Sequence, residues 1–142
     1  MYNEVMKYYD YTDIVIKSAA VSDYRPVSVN SNKIKKSDND MSIKLVKNTD
    51  ILFELGKLKK SQILVGFAAE TNNLDKYANN KLISKNLDMI VANDVTMENS
   101  GFDIDTNTVK IFCKNGEVSE LPNMSKEEVA YIILDYALKI KR

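Results

Sequence analysis

Three short, continuous apolar runs most constrain what this chain can fold into. They are DIVIKSAAV at Asp13 to Val21, ILVGFAA at Ile63 to Ala69 and DMIVA at Asp88 to Ala92. None alternates apolar with polar residues, so none suits a sheet with one wet face. Each reads as a parallel strand buried on both faces, which needs a helical layer on either side. Helices are predicted between and around them. Tyr2 to Tyr9 reads as a short helix. Asp50 is positioned to cap a helix through about Leu58, with Leu52, Phe53 and Leu55 available to its buried side. Leu74 to Lys85 carries Leu74, Tyr77, Ala78 and Leu82 at helical spacing. Ser125 starts a closing helix, with Glu128 at the capping-box position and Val129, Ile132, Ile133, Tyr136 and Ile140 as its apolar stripe.

The remaining segments read differently. Ser42 to Val46 alternates like a half-exposed strand. Thr108 to Cys113 and Glu117 to Leu121 flank Lys114-Asn115-Gly116, a hairpin signal. Ser22 to Lys36 reads as a long charged loop. The fold expected is α/β: a three-layer, Rossmann-like domain with a mostly parallel sheet and an antiparallel hairpin near the C-terminus.

Composition excludes several classes of function. The 142 residues carry no formal net charge, which leaves no global field for nucleic acid. There is no histidine, so histidine bases and histidine metal sites are excluded. A single cysteine, Cys113, excludes an intramolecular disulfide and a cysteine zinc cluster. No segment has the apolar length of a membrane span, and MYNEVMKYYD lacks the apolar core of a signal peptide. The expected location is the cytoplasm.

The densest charge follows the first apolar run. AAVSDYR, Ala19 to Arg25, is succeeded by KIKK at Lys33 to Lys36. Open α/β sheets bind ligands at the carboxyl ends of their strands, so an anionic ligand is expected there. Small residues at Ala19 and Ala20 let a ligand approach the backbone. Asp23 can accept hydrogen bonds from a sugar hydroxyl or base amine, or can cap a turn. Arg25 can pair with Asp23 or bind a substrate anion. Lys33, Lys35 and Lys36 are either phosphate ligands or a solvated run. Lys81 and Lys85 share a helix face, as a two-pronged cation or as ordinary surface lysines. Phe67 is either core or a stacking surface. The amides opening the helix at Thr49-Asp50-Ile51-Leu52 are free to donate to a ligand. Glu70 and Asp94 end strands; helix capping or loop bonding ranks ahead of holding a metal through water.

AAVSDYRP, KIKK, VKNTDIL (Val46 to Leu52) and GFAAETNN (Gly66 to Asn73) stand here in an order and spacing that resemble one family. IVAND at Ile90 to Asp94 adds to the match. The chain resembles the C-terminal part of bacterial phosphopantothenoylcysteine synthetase, from about Met1 to Phe112. That enzyme is often fused behind a flavin-dependent decarboxylase. The resemblance implies joining of 4′-phosphopantothenate to cysteine with CTP and Mg²⁺ through an acyl-cytidylate, in a homodimer. FMN is implied only for the fused decarboxylase. It further implies nucleotide contacts at Ala19, Asp23, Lys33, Thr49, Asp50, Ile51, Leu52, Phe67, Lys81 and Lys85, with Lys33 on the phosphates. The family usually has proline where this chain has Thr49.

The family's glycine-rich turn and an asparagine used in the acyl-nucleotide step lie upstream of the matched part. The four glycines here, Gly56, Gly66, Gly101 and Gly116, are scattered. Residues 1–142 are therefore expected to be the C-terminal portion of a larger catalytic domain. Two other classes stay open: a nucleotide-binding fragment inactive alone, and a generic nucleotide-dependent enzyme such as a dehydrogenase.

Overall fold

The computed structural model describes residues 1–36, 40–70, 73–94 and 105–141, with Glu70 and Asp94 described by backbone alone. The chain divides into two compact units, Met1–Ser18 with Ile51–Arg142, and Ala19–Asp50.

In the larger unit, α1 (Tyr2–Tyr8) and a 3₁₀ turn (Tyr9–Tyr11) lead into β1 (Ile14–Lys17). After the smaller unit come α2 (Ile51–Leu58), β4 (Ile63–Glu70), α3 (Leu74–Ser84) and β5 (Met89–Asp94). β7 (Val109–Cys113) and β8 (Val118–Glu120) form the hairpin, and α4 (Lys126–Lys141) closes the unit. A short ribbon pairs β6 (Thr106–Asn107) with β9 (Met124–Ser125). The main sheet has the order β1-β4-β5-β7-β8. β1, β4 and β5 are parallel, while β7 and β8 join antiparallel.

The pleat sorts the apolar runs onto two faces. Leu64, Ala68, Ile90, Ala92 and Phe112 pack with Leu52 and Leu55 of α2 and Ala78 and Leu82 of α3. Ile63, Val65, Met89, Val91, Val109 and Ile111 pack with Val129, Ile133 and Ala137 of α4. Two separate cores on the two faces of one sheet make the three expected layers. Each fully buried Leu or Ile contributes about 1.5–3 kcal/mol, so this double burial dominates the fold.

Helix ends follow their residues. Ser125 and Glu128 exchange bonds: Glu128 N–H donates to Ser125 Oγ at 3.2 Å, and Ser125 N–H donates to Glu128 Oε2 at 2.9 Å. The Ser125 hydroxyl, which donates to Glu128 Oε2 at 2.7 Å, and then the Ser125 amide hold the Glu128 carboxyl below its ordinary pKa. α3 ends in a left-handed residue, Asn86 (φ 51°). Asn86 N–H donates to Ile83 O and Leu87 N–H to Leu82 O, which satisfies the last carbonyls. In the hairpin turn Gly116 takes φ 90°.

Four expectations are corrected. β1 spans Ile14–Lys17 rather than Asp13 to Val21, because its ladder with β4 ends at Lys17 opposite Gly66. It is half-buried, not buried: among the described residues it is a sheet edge, and Ile16 is 37% exposed. Phe53 is exposed, because the buried face of α2 is Ile51, Leu52, Leu55 and Gly56, and position 53 points the other way. Tyr77 is exposed, leaving Ala78 and Leu82 as the buried positions of α3.

The smaller unit holds an antiparallel ribbon of β2 (Tyr24–Pro26) and β3 (Leu45–Lys47). The Ser22 to Lys36 loop thus contains a strand, and the Ser42 to Val46 strand is shifted to Leu45–Lys47. The length of the partner sets the ladder: three residues of β2 can pair only three of β3.

Candidate functional site

The carboxyl ends of β4 and β5 lie side by side, with Phe67 opposite Val91, Ala69 opposite Asn93 and Glu70 opposite Asp94. Phe67 stands one residue beyond the point where β1 stops pairing. By alternation it belongs to the face packed on α4, yet it is 38% exposed. The ring is therefore not core, and one face of β4 is accessible at its carboxyl end. The side chains of Glu70 and Asp94, and all of Thr71 and Asn72, lie outside the described residues.

On the other face α2 presses on β4. A Cβ built at Gly66 would meet Leu52 Cδ2 at 2.8 Å and Leu87 Cδ1 at 2.9 Å. The glycine of GFAAETNN thus serves close packing rather than a phosphate turn. Ile51 and Leu52 bury their side chains, so they have only their backbone amides to offer a ligand at the start of α2.

Lys81 and Lys85 are half-buried and one helical turn apart, with Lys85 N–H donating to Lys81 O at 3.1 Å. Lys85 caps the C-terminus of α3, where a cation also complements the helix dipole. The Lys85 carbonyl abuts Gly56, where a Cβ would come within 2.0 Å of its oxygen. The lysine pair is thereby docked beside the second turn of α2. It sits on the α2–α3 face of the sheet, opposite Phe67.

In the smaller unit Ala19, Asp23, Lys33, Lys35, Lys36, Thr49 and Asp50 are all exposed. Asp23 anchors the ribbon through its backbone, its carbonyl accepting from Asn48 N–H at 2.7 Å. Arg25 is exposed and does not pair with Asp23. Its Nη1 donates to Lys47 O at 3.1 Å and Asn48 Oδ1 at 2.9 Å, while Asn48 Nδ2 donates to Ser22 O at 2.7 Å. Arg25 is thus a clasp for the ribbon that carries Asp23.

The end of the sheet where β5 begins holds a cleft of about 400 Å³ lined by Asp88, Cys113, Lys114, Asn115 and Ile140. Asp88 is committed there to Lys59, whose Nζ lies 2.8 Å from both carboxylate oxygens. Burial, then the charge of Glu117, pushes the Cys113 thiol up to about 11. A thiol so raised carries little thiolate near neutral pH. Among the described residues no three of His, Cys, Asp and Glu converge to hold a metal ion. None of the described helices is long and apolar enough to cross a membrane.

Three parallel strands between two helical layers, open at their carboxyl ends, define a Rossmann-like α/β domain. The chain belongs to the DNA/pantothenate metabolism flavoprotein C-terminal domain family, whose model matches residues 1–140. It is 54% identical over 134 residues to the coenzyme A biosynthesis bifunctional protein CoaBC of Bacillus subtilis (strain 168), covering 94% of this chain and 33% of that protein. It is 44% identical over 127 residues to CoaBC of Escherichia coli (strain K12), covering 87% and 31%. The chain thus spans about a third of the length of these relatives. Among solved structures it resembles the C-terminal domain of a coenzyme A biosynthesis bifunctional protein CoaBC, with a TM-score of 0.78 at 41% identity over 99% of this chain and 61% of that one. The DNA/pantothenate metabolism flavoprotein from Streptococcus pneumoniae shares the fold, with a TM-score of 0.77 at 24% identity over 97% of this chain and 68% of that one.

Sequence reasoning missed two features of the larger unit. The Lys59–Asp88 pair joins residues far apart in the chain, and no local signal marks it. Asn93 lies inside the IVAND motif, but its environment depends on which strands flank it.

Proposed function

We propose that residues 1–142 are the C-terminal portion of the ligase domain of a bifunctional coenzyme A biosynthesis protein. The observation that carries this reading is the family match over residues 1–140, which contains the whole ordered motif set. The reading of a larger domain is supported by the chain's covering 61% of a solved C-terminal domain of CoaBC. The parent joins 4′-phosphopantothenate to cysteine with CTP. The substrate carboxylate attacks the α-phosphorus and pyrophosphate leaves. The cysteine amine then attacks the activated acyl carbon and CMP leaves.

This chain contributes charge and positioning rather than a covalent nucleophile. Lys33 neutralises the nucleotide phosphates, with Lys35 and Lys36 beside it in the same exposed run. Lys81 and Lys85 add a second pair of cations, and the amides at Ile51 and Leu52 donate to the ligand. Asp23 and Ala19 contact the nucleotide, and the exposed Phe67 ring offers the base a stacking surface. Mg²⁺ would accompany the nucleotide, held largely by triphosphate oxygens and water. It would reduce the charge repelling the attacking carboxylate. FMN belongs to the decarboxylase part of the bifunctional protein. The reading carries with it a cytoplasmic homodimer.

The test is ligase activity of the full-length parent. CTP-dependent release of pyrophosphate and a cysteine conjugate is expected, with little or none from residues 1–142 alone. Lys33→Gln should slow the parent about 10²–10³-fold, the usual worth of one charge-stabilising donor. Lys114→Gln, which loses only an exposed bond to Asn86, should not. Turnover with ATP but not CTP would overturn the nucleotide, and no product with either would overturn the reading.

A further inference from the structure

α4 packs one face on the sheet through Val129, Ile133 and Ala137 and leaves the other uncovered. On that outer face Tyr131, Leu134 and Leu138 are 64%, 44% and 50% exposed. Their spacings of three and four put them in one stripe along the helix. Two more exposed positions continue the stripe, Glu127 before Tyr131 and Lys141 after Leu138. A lone exposed leucine needs no explanation, but three large apolar side chains in line between charged ends mark a contact surface.

The charges say what covers it. Glu127 and Glu128 lie in the first turn of α4, and Lys139 and Lys141 in the last. Lys126 offsets one of the two acids and leaves the first turn net acidic. Leu134 stands midway: Glu127 and Lys141 are each seven residues from it, and Ala130 and Leu138 each four. A second α4 laid antiparallel across Leu134 therefore sets Glu127 of each copy against Lys141 of the other. It also sets each Leu138 against the other's Ala130, which is exposed and small enough to receive it. A parallel copy would set acid on acid and base on base. Lys141 already holds Asp13 at 2.9 Å, but an ammonium has three donors. We propose that the outer face of α4 is a self-association surface, on which two copies of this chain meet antiparallel about a two-fold axis at Leu134. Such an axis requires a patch complementary to itself, and this stripe is one. The 16 residues of α4 span about 24 Å, and a contact of that length buries less than the about 800 Å² per partner of a standard interface. The pair therefore forms and separates with concentration. The proposal does not rest on the ligase reading, and its test reads no activity.

The experiment is sedimentation velocity of residues 1–142 at rising concentration and low salt, with circular dichroism as the check on folding. Wild type should pass from monomer to dimer. Leu134→Lys should weaken the dimer at least about tenfold, because it puts two like charges on the axis. Glu127→Lys and Lys141→Glu should each weaken it about threefold or more, and their equimolar mixture should recover the loss, because opposite charges then face each other at both ends. The charge pair also serves as the test if Leu134→Lys fails to fold. Leu134→Cys should link to itself under mild oxidation, since the axis brings both copies of position 134 within the about 7 Å Cα reach of a disulfide. Cys113, 4% exposed, does not compete. Wild type that stayed monomeric at every concentration would overturn the proposal. A dimer that Leu134→Lys left intact and Leu134→Cys did not link would place the contact on another surface and overturn it as well. A mixture no stronger than its separate variants would refute the antiparallel pairing.

Discussion

The Lys59–Asp88 pair is the feature of this fold most exposed to a single substitution. Its side chains are 10% and 13% accessible. The ammonium has three donors and three acceptors: both Asp88 oxygens at 2.8 Å and Asn86 O at 2.9 Å. Asp88 Oδ2 also takes Leu64 N–H at 2.8 Å, and Asp88 O takes Lys114 N–H at 2.9 Å. One carboxylate therefore ties the segment after α2, the start of β4 and the start of β5. Lys59→Met keeps the stem and removes the charge, leaving a nearly buried carboxylate with one amide donor. Breaking a buried pair from one side costs about 3–5 kcal/mol. The slight accessibility here favours the lower end, about 3 kcal/mol. At roughly 2 cal/mol/K per residue, unfolding this chain carries about 0.3 kcal/mol/K, so the midpoint should fall by about 10 °C. Removing the second charge as well, in Lys59→Met/Asp88→Leu, takes these partners from the Leu64 amide and the Asn86 carbonyl but leaves no unpaired charge. The double variant should be at least about 1 kcal/mol less destabilised than the sum of the singles. Urea and thermal melts followed by circular dichroism measure all four proteins. A Lys59→Met loss under about 1 kcal/mol would mean that the pair behaves as a surface ion pair, and the burial argument would fail.

Gly56→Ala should destabilise more than Gly66→Ala in the same melts. The first Cβ meets a backbone carbonyl at 2.0 Å, whereas the second meets methyl ends of Leu52 and Leu87; overpacking costs about 1–3 kcal/mol, and Gly56→Ala belongs at or above the top of that range. Cys113, 4% exposed with its thiol raised to about 11, should resist iodoacetamide at pH 8 and label only on unfolding; rapid labelling of folded protein by mass spectrometry would contradict this. Glu128, whose carboxyl is lowered first by the Ser125 side chain and then by its backbone, stabilises the fold above its unfolded pKa, and that contribution is lost as pH falls through the folded value. The stability gap between wild type and Glu128→Gln should therefore close on acidification, and a gap independent of pH would refute it.

What was legible in the sequence is what burial writes locally. An unbroken apolar run such as ILVGFAA records contact on both faces, so β4, β5 and the three layers followed from it. Ser125 and Glu128 stand three apart, so their cap was legible as well. Phe53 and Tyr77 misled because an apolar residue name says nothing about which side of a helix another element covers. The reading of β1 is too long because apolar residues persist past Lys17, where β1 itself leaves a β4 that runs on to Glu70.

The candidate site was legible in a different way, through residue types in order rather than through periodicity. The lysines and Asp23 were found as charges and as family positions, and the structure adds what composition cannot. Arg25 is consumed by its own ribbon, and Lys85 is docked on Gly56. Asn93 shows the limit of pattern reading most sharply. A lone asparagine at a strand end is an ordinary turn signal. Only the pairing with β4 and β7 shows that its oxygen is buried and that no described donor reaches it.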